Sequence, residues 1–309
     1  DLVRSRGLGD VYKRQSKNPV TVLKLLFSIH QIIKQKGITI VHTHHRMAAF
    51  YIRLLKFVYP KLTHVYTAHN VFKDKLPLYR FALKNAKSVA VGEAVNNNLK
   101  EDVGITDSKV IYNGVILKET DNQVDDIVGY DGTKLGCIAR LSEQKGLTYL
   151  IEAMSLLTVK NIRLFIVGDG ELRNELENKV EELHLQDSVT FLGYRKDIVE
   201  CINSFDFLVS SSLFEGLALN VIETFMNGKT MVATDIPGIN EIVNDKNGIL
   251  VPAKNPGALA GAIDKLATDV PLRNRLAFHA KKTYEERFSY SMFLENYREL
   301  YREIQGEPK

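Results

Sequence analysis

The amino-acid sequence predicts an α/β protein that contains two doubly wound parallel sheets. Its 309 residues suffice for two domains of roughly 100–200 residues each. Short runs rich in Val, Ile and Phe alternate with stretches of helical spacing, and the runs are apolar on both faces, as in parallel strands that helices cover. A hydrophobic content of 45% and a charged content of 25% are those of a globular chain, and they exclude disordered, collagen-like and coiled-coil classes.

The first fifteen residues are set apart from the fold. Residues 10–15 read DVYKRQ, which resembles the translated end of a transposon adapter used in sequencing libraries. Residues 1–15 also lack helical or strand periodicity, so no dinucleotide-binding loop is inferred from Gly7 and Gly9. We expect this segment to be non-native and the chain to be an N-terminally truncated fragment.

Residues 16–117 predict the first of the two sheets. The strand-length apolar runs are ITIVHTH (38–44), THVYTAH (63–69), KSVAVG (87–92) and KVIYN (109–113). Helical spacing separates them over 46–57 and 95–103. This alternation favours parallel strands joined by helices, in a partial N-terminal domain.

An acidic segment, residues 118–133, follows and is predicted to be the interdomain linker because it contains Gly and lacks an apolar face. Six strands are then predicted at 133–140, 162–168, 188–193, 205–211, 229–234 and 248–252. Five helices are predicted between and after them, at 146–158, 170–184, 196–203, 218–227 and 256–268. Together they predict a C-terminal domain over 134–286.

Two more helical patterns close the chain, over 271–286 and 289–304. Ser289 is the predicted N-cap of the last one, because a Ser directly before an apolar-periodic stretch is typical of a helix start.

Charge is divided unevenly along the chain. Residues 16–117 contain 15 Lys and Arg against 5 Asp and Glu, whereas residues 118–309 contain 22 against 30. The basic first half favours an anionic partner, either a phosphate-bearing substrate or an anionic membrane surface, although solvated helix faces explain the same pattern. No nucleic-acid-binding signature is present, so no nucleic-acid partner is expected. The two isolated cysteines, Cys137 and Cys201, favour a reducing cytosol.

Two charged pairs follow predicted strands, where ligands of open parallel sheets bind. Arg140 and Lys145 form the first pair and Glu215 and Glu223 the second, with Gly216 allowing a tight turn. A guanidinium and an ammonium suit a diphosphate, and a glutamate two turns into a helix suits the hydroxyls of a ribose. Each pair alone fits exposed helix positions as well, but together they predict a site for a nucleoside diphosphate.

The chain resembles the retaining nucleotide-sugar glycosyltransferases of family 4, which have two Rossmann-like domains facing a cleft, the GT-B architecture. The resemblance covers residues 20–304, and its motifs are CIARLSEQKG, IVGDGE, FLGYRKDI, SSLFEGLALNVIE and ATDIPGINEIV. It implies that Arg140 and Lys145 hold the donor diphosphate, that Glu215 approaches the sugar and that Glu223 binds the ribose. The family's first strands have no counterpart before Ser16, so the resemblance implies an incomplete N-terminal domain.

The resemblance implies further site residues and the reaction. His69 would face the transferred sugar, and the last helix, within 287–309, would return to the N-terminal domain. The remaining donor-binding positions are Gly193, Tyr194, Arg195, Gly216, Leu217, Ala218 and Leu219. The implied enzyme is a metal-independent hexosyltransferase that needs no cofactor. It would move a sugar from a nucleotide-diphosphate donor, expected to be a UDP-sugar, to a glycan or lipid-linked acceptor in bacterial envelope polysaccharide assembly. A nucleotide-sugar epimerase or hydrolase of the same fold, or an inactive nucleotide-sugar-binding fragment, is the alternative.

Three histidines, His42, His44 and His45, lie close together without a nearby carboxylate or cysteine. A metal site is therefore disfavoured, and packing or a place in the lining of a cleft explains them. Because the two isolated cysteines favour a reducing compartment, we expect the protein in the cytoplasm, where a basic first half would also suit the inner face of the plasma membrane.

Overall fold

The computed structural model describes residues 19–116 and 120–306, which form two compact units. The predicted adapter segment, residues 1–15, lies outside the described residues, as do 117–119 of the predicted linker and the last three residues. The first unit comprises the described residues up to Ala68, with Lys73–Val89 and Lys100–Ser108. The second unit comprises His69–Phe72, Ala90–Leu99 and the described residues from Lys109 onward.

A four-stranded sheet confirms the strands predicted in the N-terminal half. Its strands stand side by side in chain order, as β1 (Ile40–Thr43), β2 (Thr63–Ala68), β3 (Lys87–Ala90) and β4 (Ser108–Val110). β1 and β2 pair in parallel, with Ile40 opposite Thr63. Parallel neighbours require crossover connections, which the helices of this half supply.

Four helices belong to this half: α1 (Pro19–Lys36), α2 (Arg46–Leu55), α3 (Leu76–Leu83) and α4 (Glu93–Asn97), the last continued by a π-helical turn over Asn98–Val103. The helices predicted over 46–57 and 95–103 are confirmed. The sequence analysis did not predict α1 or α3. In α1 the apolar side chains are spread around the helix, since Leu23 and Phe27 are exposed while Ile33 is buried. In α3 no side chain caps the first turn.

A six-stranded parallel sheet forms the second unit. Its strands are β5 (Thr133–Ile138), β6 (Ile162–Val167), β7 (Val189–Gly193), β8 (Phe207–Ser210), β9 (Met231–Thr234) and β10 (Ile249–Val251). All six predicted strands are confirmed. They lie in the order β10-β9-β8-β5-β6-β7, so the chain winds outward from the centre in both directions, as in dinucleotide-binding sheets.

The helices of the second unit confirm the remaining predictions. They are α5 (Asp125–Val128), α6 (Leu147–Ser155), α7 (Arg173–Glu182), α8 (Ile198–Ser204), α9 (Leu219–Met226), α10 (Pro256–Thr268), α11 (Val270–Thr283) and α12 (Tyr290–Gln305), with a π-helical turn over Tyr284–Phe288. The side chain of Ser289 accepts the N–H of Met292, so the predicted N-cap of α12 is confirmed.

The short helix α5 lies within the predicted linker. Ile127 of this helix is fully buried, and the N–H of Val124 donates to Ser204 Oγ at 2.8 Å. Residues 124–128 therefore pack against other elements of the second unit. The predicted domain boundaries stay a prediction.

The core of the second unit lies on the two faces of its sheet. The fully buried members include Leu135, Leu164, Ile166 and Phe207, and burial of each such side chain contributes about 1.5–3 kcal/mol. Cys137 lies in this core, and burial raises its pKa to about 12, so the thiol stays protonated. Among the described helices, none has the length and apolar character that a membrane crossing requires.

We expect replacement of Asp264 by Asn to destabilise the second unit. The Asp264 carboxylate accepts the N–H and the hydroxyl of Thr158, at 2.9 and 2.6 Å, and the N–H of Val159 at 3.1 Å. Burial opposes the charge, but these hydrogen bonds outweigh it and hold the pKa of Asp264 below its usual range. The stabilisation is therefore present above the unfolded-state pKa and is lost as the pH falls through the lower folded-state pKa.

Urea unfolding at neutral and at acidic pH measures this effect. At pH 7 the free energy of unfolding should fall by about 1–2 kcal/mol, the range for loss of a capping carboxylate, and the difference should shrink in acid. Asp245→Asn, at an exposed position, is the matched control. An equal loss at pH 7 and at pH 2 would contradict the assignment.

Candidate functional site

The strand order of the second unit places a crevice between β5 and β8. These strands are neighbours, with Leu135 opposite Phe207, yet their following connections run to opposite sides of the sheet. Ligands of parallel sheets bind beyond the carboxyl ends of the strands at which the winding reverses in this way. Both charged pairs predicted from the sequence follow these two strands.

The loops after β5 and β8 are bonded to each other. The N–H of Leu213 donates to Gln144 O at 2.8 Å, and Ser211 Oγ donates to Lys145 O at the same distance. Gly146 has a positive φ of 57°, and a Cβ at this position would lie 2.4 Å from Ser211 O. A glycine is therefore required here, and the two loops form one rigid segment at the crevice.

This segment brings Lys145 and Glu215 together. Lys145 Nζ lies 2.5 Å from Glu215 Oε1, and their side chains are 18% and 9% exposed. Glu215 also accepts Ser212 Oγ at 2.8 Å and Gln144 Nε2 at 3.3 Å. The Glu215 carboxylate thus accepts three hydrogen bonds, and its bond to Lys145 fixes the position of Nζ. The sequence analysis assigned these two side chains separate roles and did not predict their contact.

Arg140 lies apart from that pair. Its side chain is 72% exposed, and its Nη2 lies 3.1 Å from Glu171 Oε2. A backbone hydrogen bond and the nearby guanidinium hold the pKa of Glu171 below its usual range. The N–H of Leu141 donates to Asp169 O at 3.0 Å, so the loop after β6 supports the loop that carries Arg140. Arg140 is free to turn toward a ligand, because an exposed ion pair of this kind contributes only about 0–1 kcal/mol.

Helix α9 begins directly after the loop that carries Glu215. Asn220 Nδ2 donates to Ile138 O at 3.0 Å, which fixes the first turn of α9 to the end of β5. The N–H groups of a first helical turn have no acceptor within the helix, so this turn presents a partial positive charge. Leu217 and Ala218 are buried, and Glu223 is half-buried one turn beyond Leu219.

The loop after β9 contacts the loop that carries Glu215. Gly238 has a φ of 85°, and a Cβ there would lie 2.7 Å from Glu215 O. Gly238 O accepts the N–H of Ala218 at 3.1 Å, and Thr234 Oγ1 donates to Ser212 O at 2.6 Å. The sequence analysis assigned no site residue to this loop. The Pro237-Gly238 dipeptide, which is typical of a turn, was the signal that could have indicated it.

Two segments that follow strands of the four-stranded sheet belong to the second unit and contact these loops. His69 directly follows β2, and its carbonyl oxygen would lie 2.7 Å from a Cβ at Gly216, so this contact requires the glycine. The Glu241 carboxylate accepts the N–H of Glu93 at 2.7 Å, at the start of α4. Glu241 therefore fixes the loop after β9 to α4, a contact that sequence reasoning missed because 148 residues separate the partners.

Gly193, Tyr194 and Arg195 lie at the end of β7, which β6 separates from β5. Gly193 O accepts the N–H of Gly168 at 2.8 Å, and the Arg195 guanidinium binds the carboxylate of Asp197. Tyr194 is 74% exposed.

The histidines of the first unit have structural contacts. His42 Nε2 lies 2.7 Å from Thr67 Oγ1, and the rings of His42 and His44 stack at 4.3 Å. Burial lowers the pKa of His44, and His45 Nδ1 caps α2 by accepting the N–H of Met47. No group of His, Cys, Asp or Glu with the arrangement of a metal site occurs among residues 19–116 and 120–306.

Two family models match the chain. The model described as "Glycosyl transferases group 1" matches residues 128–283, about half of the chain, and includes both charged pairs. The model described as "Glycosyltransferase Family 4" matches residues 4–119. The first of these matches coincides with the six-stranded sheet and its crevice.

Individual glycosyltransferases are also similar to this chain. An uncharacterized glycosyltransferase of Methanocaldococcus jannaschii is 31% identical over 216 residues, which are 63% of this chain and 55% of that protein. The match thus spans about half the length of this relative. The solved glycosyltransferase of Rickettsia africae is 26% identical with a TM-score of 0.82, over 94% of this chain and 83% of that one.

The fold is shared more widely. HepE of Anabaena, solved in complex with UDP, has a TM-score of 0.82 at 22% identity, over 92% of this chain and 82% of that one. The predicted fold class, α/β with two parallel sheets of the GT-B type, is confirmed. The "Glycosyl transferases group 1" model covers half of the chain, including the six-stranded sheet and both charged pairs. The chain therefore belongs to the glycosyl transferases group 1 family.

Proposed function

We propose that the chain is a retaining hexosyltransferase that moves a sugar from a UDP-sugar to a hydroxyl group of a glycan or lipid-linked acceptor in bacterial envelope polysaccharide assembly. The partly buried Lys145–Glu215 pair, beyond the carboxyl ends of β5 and β8, is the observation that carries this proposal. It holds a cation at the position where a parallel sheet of this order receives phosphates.

The donor diphosphate would bind at this cation. An ammonium has three N–H donors, so Lys145 can keep its bond to Glu215 and still donate to a phosphate oxygen. Arg140 would exchange its exposed contact with Glu171 for a second phosphate contact, and the first turn of α9 adds N–H donors. The UDP in the HepE complex, which has the same fold, supports uridine as the nucleoside.

These groups would stabilise the departing nucleoside diphosphate. Negative charge develops on the phosphate oxygen as the bond to the sugar breaks, and preoriented cations and N–H groups stabilise such charge at no cost of reorganisation. We propose that Lys145 and Arg140 act here in place of a divalent metal, because they would supply positive charge at the diphosphate. The Glu215 carboxylate, which could otherwise bind a metal, is paired with Lys145.

The hydrogen bonds of Glu215 also support a reaction that retains the anomeric configuration, in which the acceptor hydroxyl attacks from the side on which the leaving group departs. A carboxylate that accepts three hydrogen bonds is a weak nucleophile, so a covalent sugar intermediate on Glu215 is disfavoured. In the proposed step the acceptor oxygen bonds to the anomeric carbon while the bond from that carbon to the phosphate oxygen breaks. The acceptor hydroxyl proton passes to the departing phosphate oxygen. His69, beside Gly216, would face the transferred sugar.

The first half of the chain would bind the acceptor. Its excess of Lys and Arg favours an acceptor that bears phosphate, or one presented at an anionic membrane surface on the cytoplasmic side. The basic side chains for which this role is proposed include Lys73, Lys75, Arg80, Lys84 and Lys87.

Glu223→Ala tests the donor site. We expect the Kd for UDP to rise about tenfold to a hundredfold, because two ribose hydroxyls would lose a charged acceptor, and UDP release from UDP-glucose to slow similarly. Isothermal titration with UDP and with GDP measures binding without a known acceptor. Glu177→Ala, on α7, is the matched control.

Three results would overturn the proposal. One is unchanged UDP binding by Glu223→Ala, and another is tighter binding of GDP than of UDP. The third is release of an epimerised sugar from the donor in the absence of acceptor, which would indicate an epimerase.

A further inference from the structure

A small cavity in the first unit lies outside the site described above. It has a volume of about 120 Å³ and opens beyond the carboxyl ends of β1 and β2, between the starts of α2 and α3. Its wall has a basic side and an apolar side. The basic side consists of His45, Arg46 and Lys75, and the apolar side of Met47, Phe50 and Leu78.

The basic side is oriented by contacts around it. Arg46 Nη1 lies 2.9 Å from Asp74 Oδ1, and the Arg46 guanidinium is 5.9 Å from the centre of the Tyr79 ring. Because His45 Nδ1 accepts a backbone N–H, the proton of its neutral ring is on Nε2, which is a donor. None of the described residues that line the cavity is acidic. The charges of Arg46 and Lys75 together exceed that of Asp74 beside Arg46, so the wall has a net positive charge.

The apolar side leaves hydrophobic surface exposed beside these cations. Met47 is 41% exposed and Leu78 is 40% exposed. Tyr79 forms the floor and is buried, and its hydroxyl donates to the Tyr66 hydroxyl at 3.0 Å. The floor is therefore fixed, and its polar atom is already satisfied, so a ligand would meet cations on one side and hydrocarbon on the other.

We propose that this cavity binds a phosphate monoester that carries an apolar chain, with the phosphate at Arg46, Lys75 and His45 and the chain along Met47 and Leu78. The proposal rests on the proposed function, because such a ligand would be the anionic end of a lipid-linked acceptor. A guanidinium and an ammonium bind phosphate by paired N–H bonds and a point charge. Burial of the chain against Met47 and Leu78 would add to the affinity through the hydrophobic effect.

The chemistry of the wall disfavours other ligands. A free sugar is recognised through carboxylate and amide groups that accept its hydroxyl protons, and the wall has neither. Inorganic phosphate would leave the exposed surface of Met47 and Leu78 in water, so it would use half of the cavity only. An amphiphilic phosphate ester satisfies both sides.

Titration calorimetry with three soluble probes tests the proposal. The probes are octyl phosphate, inorganic phosphate and octyl glucoside, each below the concentration at which it forms micelles. We expect octyl phosphate to bind at least about tenfold more tightly than either other probe, because only it engages both sides of the wall. Equal affinities of octyl phosphate and inorganic phosphate, or of octyl phosphate and octyl glucoside, would overturn the proposal.

Two variants separate the two sides of the cavity. Lys75→Gln should weaken octyl phosphate binding at least about fivefold through the lost charge, and Leu78→Asn should weaken it through lost apolar contact without affecting inorganic phosphate. Lys36→Gln is the matched control, since Lys36 is exposed and does not line the cavity. Octyl phosphate binding that neither Lys75→Gln nor Leu78→Asn reduces would overturn the proposal.

UDP titration of the same samples distinguishes this proposal from the proposed function. Both variants should bind UDP as the unsubstituted chain does, because the cavity belongs to the first unit and the proposed donor site to the second. Intact UDP binding without octyl phosphate binding would overturn the cavity proposal alone. Octyl phosphate binding without UDP binding would overturn the proposed donor site alone.

Discussion

Replacement of Lys145 by Ala is expected to slow UDP release from a UDP-sugar at least about a hundredfold, the effect of removing one preoriented donor from a developing oxyanion. The ammonium lies 2.5 Å from Glu215 and is only 18% exposed, so its position is fixed before a donor binds. A water molecule in its place would supply neither the charge nor the orientation. Initial rates of UDP release, measured with saturating UDP-glucose, test this expectation.

The same substitution should also destabilise the second unit. Glu215 is 9% exposed, and without Lys145 it would keep only the hydrogen bonds from Ser212 and Gln144. A buried charge that loses its partner costs about 3–5 kcal/mol, so urea unfolding should shift markedly. Adding Glu215→Gln to Lys145→Ala removes that charge and should restore part of the stability without restoring the rate.

A matched surface pair provides the control. Lys179 lies 3.1 Å from Glu152, with both side chains more exposed than those of the buried pair. Lys179→Ala should change the free energy of unfolding by about 0–1 kcal/mol and leave UDP release unchanged. A rate close to that of the unsubstituted chain in Lys145→Ala would remove Lys145 from the proposed donor site.

The strands were predictable because their apolar character is local. Residues such as Leu164 and Ile166 belong to a short run that is apolar on both faces, and this pattern needs no knowledge of the neighbouring strands. The order of the strands was not predictable in this way. That β5 lies next to β8 depends on packing between segments about 70 residues apart, and the crevice depends on that order.

The candidate site was predictable as a set of residues but not as a set of contacts. Lys145 and Glu215 were both found from their places after strands, yet their ion pair depends on the hydrogen bonds that join two loops. The partner of Arg140, Glu171, was missed for the same reason. Helix α3 was missed because its start has no capping side chain that would mark it in the sequence.

Gly168→Ala is expected to lower the free energy of unfolding by about 3 kcal/mol or more. Gly168 has a φ of 142°, which side chains rarely permit, and a Cβ there would lie 1.9 Å from Ala139 O. The unfavourable φ costs about 1–3 kcal/mol, and relief of the clash requires a backbone shift that costs about as much again. Urea unfolding monitored by circular dichroism measures the change.

Gly261→Ala is the matched control, with the opposite expected sign. Gly261 lies within α10, and a Cβ there would have no neighbour within 4 Å, so Ala should raise the free energy of unfolding by about 0.5–1 kcal/mol through its helix propensity. Gly168→Ala should also weaken UDP binding, because Ala139 directly precedes Arg140 and any shift of this loop moves the guanidinium. Gly261 is on a helix remote from that loop, so its substitution should leave the Kd for UDP unchanged. If the two variants unfold at the same urea concentration, the close approach of Gly168 to Ala139 does not contribute to stability. If they bind UDP equally tightly, this approach does not determine the geometry at Arg140.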